Sequence, residues 1–331
     1  MIIEKTILPD ESFYPLDNFL PNGADYEGVL FFDIETTGLS WRNSVVYLIG
    51  LISFTGGQWE LTQYFAETMA EEPDVLISFC RAASLKSCFI QYNGQRFDIP
   101  YVQHKCTQYK IPNPFENKEQ LDLYQLFLPL KKLLKLKDFK QKDVEEFLKY
   151  PRKDTLSGRE LIKKYQNYQQ TPDTALLHLI FLHNHDDMMG MVSLLPLQAY
   201  QQLSKGEYTV LNAELIESDL LITLQLFVPL PRQISYHKEG YYLTGQQTTV
   251  KLKVPVIQGV LKLHYPDYRN YYYLPLEDTS IHKSIGSYVD KSYRIQADPD
   301  HCYTKINCSQ AFLGNIEHIN LYTKNLIAWL L

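Results

Sequence analysis

The apolar run Gly28-Val29-Leu30-Phe31-Phe32 ends in Asp33-Ile34-Glu35 and is broken at once by Thr36-Thr37-Gly38. A continuous apolar stretch of this length, bounded by turn residues, reads as a buried central strand. Side chains two apart on a strand share a face, so Asp33 and Glu35 project into one small volume. Two carboxylates so placed repel, and each raises the other's pKa unless a cation lies between them. The break leaves them at the carboxyl end of the strand, where open α/β sheets hold their ligands. Hard oxygen donors of this kind suit Mg²⁺ or Mn²⁺, although an Asp-x-Glu alone also arises on solvated strand ends.

Two further clusters bear on that reading. Asn93-Gly94-Gln95-Arg96-Phe97-Asp98-Ile99-Pro100 follows the apolar segment Cys88-Phe89-Ile90-Gln91-Tyr92, a neighbouring strand. Asn93-Gly94 predicts a turn and Pro100 fits the first turn of a helix, which puts Asp98 at a helix N-terminus. Taken singly, Asp98 is better explained as an N-cap. His183-Asn184-His185-Asp186-Asp187 lies in a helical stretch from Thr174 to Leu195. There His183 and Asp187 stand one above the other, at i and i+4.

In this order, the Asp-x-Glu-Thr-Thr-Gly strand, the Asn-Gly-x-x-Phe-Asp turn and the His-Asn-x-x-Asp helix resemble the DEDD superfamily of 3′–5′ exonucleases. Within it the chain is similar to the YprB-type branch of ribonuclease-H-like domains, related to the proofreading domains of family B polymerases. Leu121-Asp122-Leu123-Tyr124, residues 137–148 and Thr155-Leu156-Ser157-Gly158-Arg159-Glu160-Leu161-Ile162 also look like that branch. The resemblance covers roughly residues 28–200. It implies two Mg²⁺ or Mn²⁺ ions held by Asp33, Glu35, Asp98 and Asp187, with Asp33 bridging them. Glu35 and Asp187 would complete one ion's site and Asp98 would hold the other. His183 would act as general base or orienter of the attacking water, its ordinary pKa near 6.5 suiting neutral pH. Thr36, Thr37, Leu39 and Asn93 would line the terminal nucleotide.

One departure stands out. The superfamily's two main forms carry a Tyr four residues before the last Asp, or a His five before it. Here His183 is four before Asp187, a spacing expected of the YprB-like branch. A helix-surface histidine is the plain alternative. Asp186 is the rival ligand; about 100° round the helix from Asp187, it reads as an exposed or supporting neighbour.

The expected fold is an α/β ribonuclease-H-like domain over residues 28–204, a mixed central sheet with flanking helices, followed by a smaller β-rich domain over 205–331. Strands fall near 28–35, 45–54, 58–66 and 87–92, with helices near 72–83 and from 99. Residues 1–27, with Pro9, Pro15, Pro21 and Gly23, read as an irregular arm. Past residue 205, Tyr208 to Ile216, Leu220 to Phe227 and Val250 to Val254 read as strands, with turns at Lys238-Glu239-Gly240 and Thr244-Gly245. Thirteen of the 25 tyrosines fall in this half, which suits packing of a β core better than stacking on unpaired bases.

A net charge of −6 needs local resolution before it fits a nucleic-acid partner. Residues 131–153 hold nine Lys or Arg against four acids, which reads equally as a phosphate-tracking surface or a solvated helix face. Five cysteines without paired spacing suit reduced thiols, and the chain shows neither a leader pattern nor 18 consecutive apolar residues. A cytoplasmic protein is expected. The expected function is a metal-dependent 3′–5′ exonuclease on single-stranded DNA or RNA ends. A structure-selective endonuclease and a nucleic-acid-binding adaptor without turnover are the alternatives.

Overall fold

The apolar segments pair into one six-stranded sheet in the computed structural model, which describes residues 1–16, 20 and 25–331. Strands β1 (Ile2–Leu8), β2 (Val29–Thr36), β3 (Val46–Thr55), β4 (Gln58–Phe65), β5 (Cys88–Gln91) and β6 (Glu119–Asp122) lie in the order β1-β4-β3-β2-β5-β6. The β1–β4, β4–β3 and β3–β2 pairs are antiparallel, whereas β2–β5 and β5–β6 are parallel. The sheet is therefore mixed, with β2 inside it. Leu30, Phe32 and Ile34 alternate on one face and join the main apolar cluster. Phe32 packs there against Phe79, Phe89 and Phe115 at ring separations of 5.3, 6.0 and 5.3 Å. The opposite alternation leaves Asp33 and Glu35 half-buried.

Among the described residues, six α-helices accompany this sheet: α1 (Glu72–Ala83), α2 (Asp98–Tyr109), α3 (Leu123–Phe127), α4 (Gln141–Leu148), α5 (Gly158–Gln170) and α6 (Thr174–Ser193). Residues 1–27, expected to be an irregular arm, open instead with β1, which pairs with β4 from Ile2 opposite Phe65 to Leu8 opposite Trp59. The extended run Ile2 to Leu8 precedes the first proline, so nothing in it opposes pairing. Pro21 and Gly23 lie outside the described residues.

The chain divides into two compact units, Met1–Leu128 with Leu136–Pro196, and Pro129–Lys135 with Leu197–Leu331. Leu130, Leu133 and Leu134 of the short insert are buried. The second unit begins its long segment with α7 (Gln198–Lys205). A five-stranded antiparallel sheet follows, from β7 (Tyr208–Ile216), β8 (Asp219–Leu226), β9 (Ile234–Lys238), β10 (Tyr241–Gln246) and β11 (Thr249–Pro255). Smaller sheets comprise β12 (Val260–His264), β13 (Tyr271–Leu274), β14 (Thr279–His282), β15 (Ile295–Gln296) and β16 (Tyr303–Asn307), with the short helix α8 (Lys283–Gly286) between β14 and β15. The chain closes with α9 (Gln310–Leu313) and α10 (Ile316–Leu330). Thr244-Gly245 is not a turn but lies within β10. A Cβ on Gly245 would come within 2.6 Å of Leu230 Cδ1, so this glycine permits close packing inside a strand. Among the described residues, no helix is long and apolar enough to cross a membrane.

Candidate active site

Asp33 and Glu35 leave β2 on one face because they are two residues apart, and a bulge follows Glu35, where the register against β3 slips before Thr36. The peptide between them recruits a third acid. The Ile34 N–H donates to Asp98 Oδ1 at 3.3 Å. Asp98 is the first residue of α2, and the turn that aims it is held from below. Asn93 takes a left-handed φ of 60°, and the Asn93 and Gln95 amides donate to Asp122 at 2.8 and 3.3 Å.

Helix α6 brings the fourth acid and the histidine. His183 Nε2 lies 3.3 Å from Asp187 Oδ2 and 3.7 Å from Glu35 Oε1. One ligand atom each of Glu35, His183 and Asp187 fall within 4.8 Å of one another, a grouping able to hold a metal ion. Next to His183, the fully buried Asn184 donates to Asp33 Oδ2 at 3.3 Å and accepts from Gln63 Nε2 at 2.9 Å. Gly50 stands opposite Asp33 in the β2–β3 register and leaves the space Asn184 fills; a Cβ there would lie 2.1 Å from Asn184 Oδ1.

Three residues join this site that its motifs do not mark: Glu145, Arg152 and Asp154. Arg152 pairs with Asp187, with Glu145 at 3.1 Å and with Asp154 at 3.3 Å. Asp154 Oδ2 also lies 2.8 Å from His183 Nδ1. Of the exposed or supporting neighbour expected of Asp186, the structure has the supporting one. It is buried, and its Oδ2 accepts the Lys153 and Asp154 amides, both at 2.7 Å, fixing the segment that carries Arg152 and Asp154. Arg152, counted among the basic residues 131–153, is thereby withdrawn from any phosphate-tracking surface.

The electrostatics follow from burial. Burial, then the charges of Asp98, Glu35 and Asp187, push Asp33 well above the usual carboxylate range, against the hydrogen bond from Asn184. Burial and the nearby Asp187, Asp98 and Asp154 do the same to Glu35, with Arg152 opposing. Burial pushes Asp98 up to about 7, although backbone amides hold it down. Asp154 goes the other way: burial raises it, but the Leu156 amide and His183 hold it below the ordinary value. Among the described residues, no lysine or arginine forms an ion pair with Asp33, Glu35 or Asp98. Buried oxygen donors with this excess of negative charge fit a hard divalent cation such as Mg²⁺ or Mn²⁺.

The residues expected to touch substrate are placed as follows. Thr36 is buried, its hydroxyl donating to the Gly38 carbonyl at 2.9 Å, and Thr37 Oγ1 accepts the Val45 N–H at 2.9 Å. Both hydroxyls thus close the loop after β2. Leu39 in that loop is 89% exposed, and Asn93 sits in the turn before α2.

Comparison with known proteins gives a family model, RNase_H_2 of the RNase H superfamily, that matches residues 30–198, just over half of the chain. The chain belongs to the RNase H superfamily. The matched span runs from β2 to the start of α7 and includes all four acids and His183. Membership accounts for the mixed sheet and supports a nuclease role, with nucleic acid as substrate. Among solved structures, this RNase H superfamily domain is similar to the family B DNA polymerase from the hyperthermophilic archaeon Pyrobaculum calidifontis, at 17% identity and a TM-score of 0.43. That similarity covers 54% of the chain and 25% of the polymerase, so the chain spans about a quarter of that protein. No curated protein matches the sequence closely enough to count as a relative.

Proposed function

We propose that this RNase H superfamily member is a metal-dependent 3′–5′ exonuclease of the DEDD, YprB-like type, acting on single-stranded DNA or RNA ends. The observation that carries the reading is the grouping of Glu35, His183 and Asp187 within 4.8 Å, with Asp33 on the same face of β2 as Glu35 and Asp98 accepting the Ile34 amide between them. These four acids would hold two divalent ions. When bound, such ions supply the charge that activates water for in-line attack on a phosphodiester and stabilises the leaving 3′ oxygen.

The chain's own groups do the rest. Asp154 beside His183 Nδ1 favours the tautomer with its proton on that nitrogen, leaving Nε2 free on the side of Glu35 and Asp187. In that tautomer Nε2 accepts the proton of the attacking water, and Asp154 steadies the imidazolium that results. Asn184 holds Asp33 in place from behind.

Single- and double-stranded DNA and RNA, labelled at the 5′ end, test the proposal when incubated with Mn²⁺ or Mg²⁺. A ladder of shortened single-stranded products that vanishes in excess EDTA is expected. Discrete internal fragments would mean an endonuclease, and binding without product would mean an adaptor; either would overturn the exonuclease reading.

A further inference from the structure

We infer that Arg152 is a positioning residue of this centre: its guanidinium fixes one oxygen of Asp187 so that the other is presented beside His183 and Glu35. The inference rests on the proposed role of Asp187 as a metal ligand. Arg152 Nη2 pairs with Asp187 Oδ1, while Asp187 Oδ2 faces His183 Nε2 at 3.3 Å. The two oxygens of one carboxylate are thus divided between the scaffold and the site.

The support behind Arg152 is built rather than incidental. Its Nη1 donates to both oxygens of Glu145, at 3.2 and 3.1 Å. Glu145 is itself buried and accepts from Gln141 Nε2 at 2.8 Å, and the same Gln141 nitrogen reaches the Asp187 carbonyl at 2.7 Å. Gly190, on α6, makes room for that carboxylate, since a Cβ there would lie 1.9 Å from Glu145 Oε1. Two other roles are open to a guanidinium here. A plain counter-charge would need no fork, and lysine would serve as well; only a planar fork spans Glu145 and Asp187 together. A plug that metal must displace would cover the oxygen facing the site, yet Arg152 takes Oδ1 and leaves Oδ2 to His183. Groups that orient a ligand from behind typically change metal affinity ten- to a hundredfold when lost.

Mn²⁺ binding in the absence of nucleic acid, followed by the paramagnetic resonance of free Mn²⁺, tests this without reference to turnover. Arg152→Lys keeps the charge and removes the fork, so Mn²⁺ binding should weaken about tenfold. Arg152→Ala should weaken it further, and millimolar guanidinium should restore part of the loss, a rescue that a merely structural role would not show. Should Arg152→Ala fail to fold, Arg152→Lys decides alone, its fold checked by metal-free thermal unfolding. Wild-type affinity in Arg152→Lys would reduce Arg152 to a counter-charge, and tighter binding would make it a plug; either overturns the inference while leaving the metal site standing. Absence of Mn²⁺ binding in the wild type, or binding undiminished in Asp33→Asn, would overturn the metal-site reading and the inference with it.

Discussion

Two acidic settings, one in each unit, handle charge in opposite ways. In the first, the half-buried Asp33 and Glu35 and the buried Asp98 have no lysine or arginine ion-pair partner among the described residues, and all three are pushed upward. In the second, Asp278 accepts from Tyr273 at 2.7 Å, from Tyr303 and from Lys305, which lies 2.9 Å away; although burial opposes it, these partners hold it well below the usual range. Cations there lie over rings: Lys262 4.0 Å from the Tyr303 centroid, Lys238 4.1 Å from that of Trp329, and Arg294 4.4 Å from that of Tyr272. The buried His264 stacks on Trp329 at 3.9 Å, and burial lowers its pKa to about 3. Charge left unsatisfied at a cost to stability marks a place kept for chemistry. Charge satisfied as at Asp278 serves folding.

A pair of neutralising substitutions should separate the units most widely. Asp33→Asn should lower turnover on the order of a thousandfold or more, with metal-free melting unchanged or higher, because it removes one of several mutually repelling anions. Asp278→Asn should leave turnover alone and lower the melting temperature by roughly 2–4 °C through weakened hydrogen bonds. Steady-state rates and thermal unfolding decide it; turnover surviving in Asp33→Asn would erase the distinction.

Glycine substitutions sharpen the contrast at the level of packing. Gly50→Ala drives a methyl into Asn184 and so disturbs Asp33, which should cost about a hundredfold in rate as well as about 1–3 kcal/mol of stability. Gly245→Ala crowds Leu230 and Ile234 and should cost stability alone. Equal loss of rate in both would show that the enzyme responds to general loosening rather than to the position of Asp33.

The smallest effect is one of sign with pH. Carboxylates raised on folding add stability below about pH 4, and this is lost as pH rises through their folded values, about 7 for Asp98. His264, lowered from 6.5 to about 3, adds stability above pH 6.5 that is lost as pH falls toward its folded value. Metal-free hydrogen exchange, resolved by peptide, should therefore show β2 and α2 better protected at pH 5.5 than at 7.5, and β12 less. Added Mg²⁺ should abolish the first trend and not the second. Movement of both units in one direction would count against the opposed burial of charge.

The parts of the first unit that depend on local pattern were legible. Apolar runs mark β2 to β5, and the i, i+2 and i, i+4 spacings set Asp33 with Glu35 and His183 with Asp187. Arg152 and Asp154 were not, because their importance comes from Asp186 catching two amides more than thirty residues upstream, a contact no periodicity encodes. The choice between an exposed and a supporting Asp186 is settled by the same contact: its helical angle points away from Asp187, and the arriving segment buries it. In the second unit α10 was missed, although Asn315 caps it and Ile319, Tyr322 and Leu326 are spaced for one buried face. The strand-rich texture before it outweighed that short signal. By composition Thr244-Gly245 reads as a turn, whereas the close approach of Leu230 explains the glycine.

The heptapeptide Pro129–Lys135 is made well before the unit it joins. It leaves the ribosome about sixty residues ahead of Leu197, where the rest of that unit begins. At roughly 5–20 residues per second, Leu130, Leu133 and Leu134 wait about 3–12 seconds without the surface that will cover them. Leu136–Pro196 is made during that wait, between the two stretches of the second unit. A unit built from two stretches can fold only when the later one has emerged.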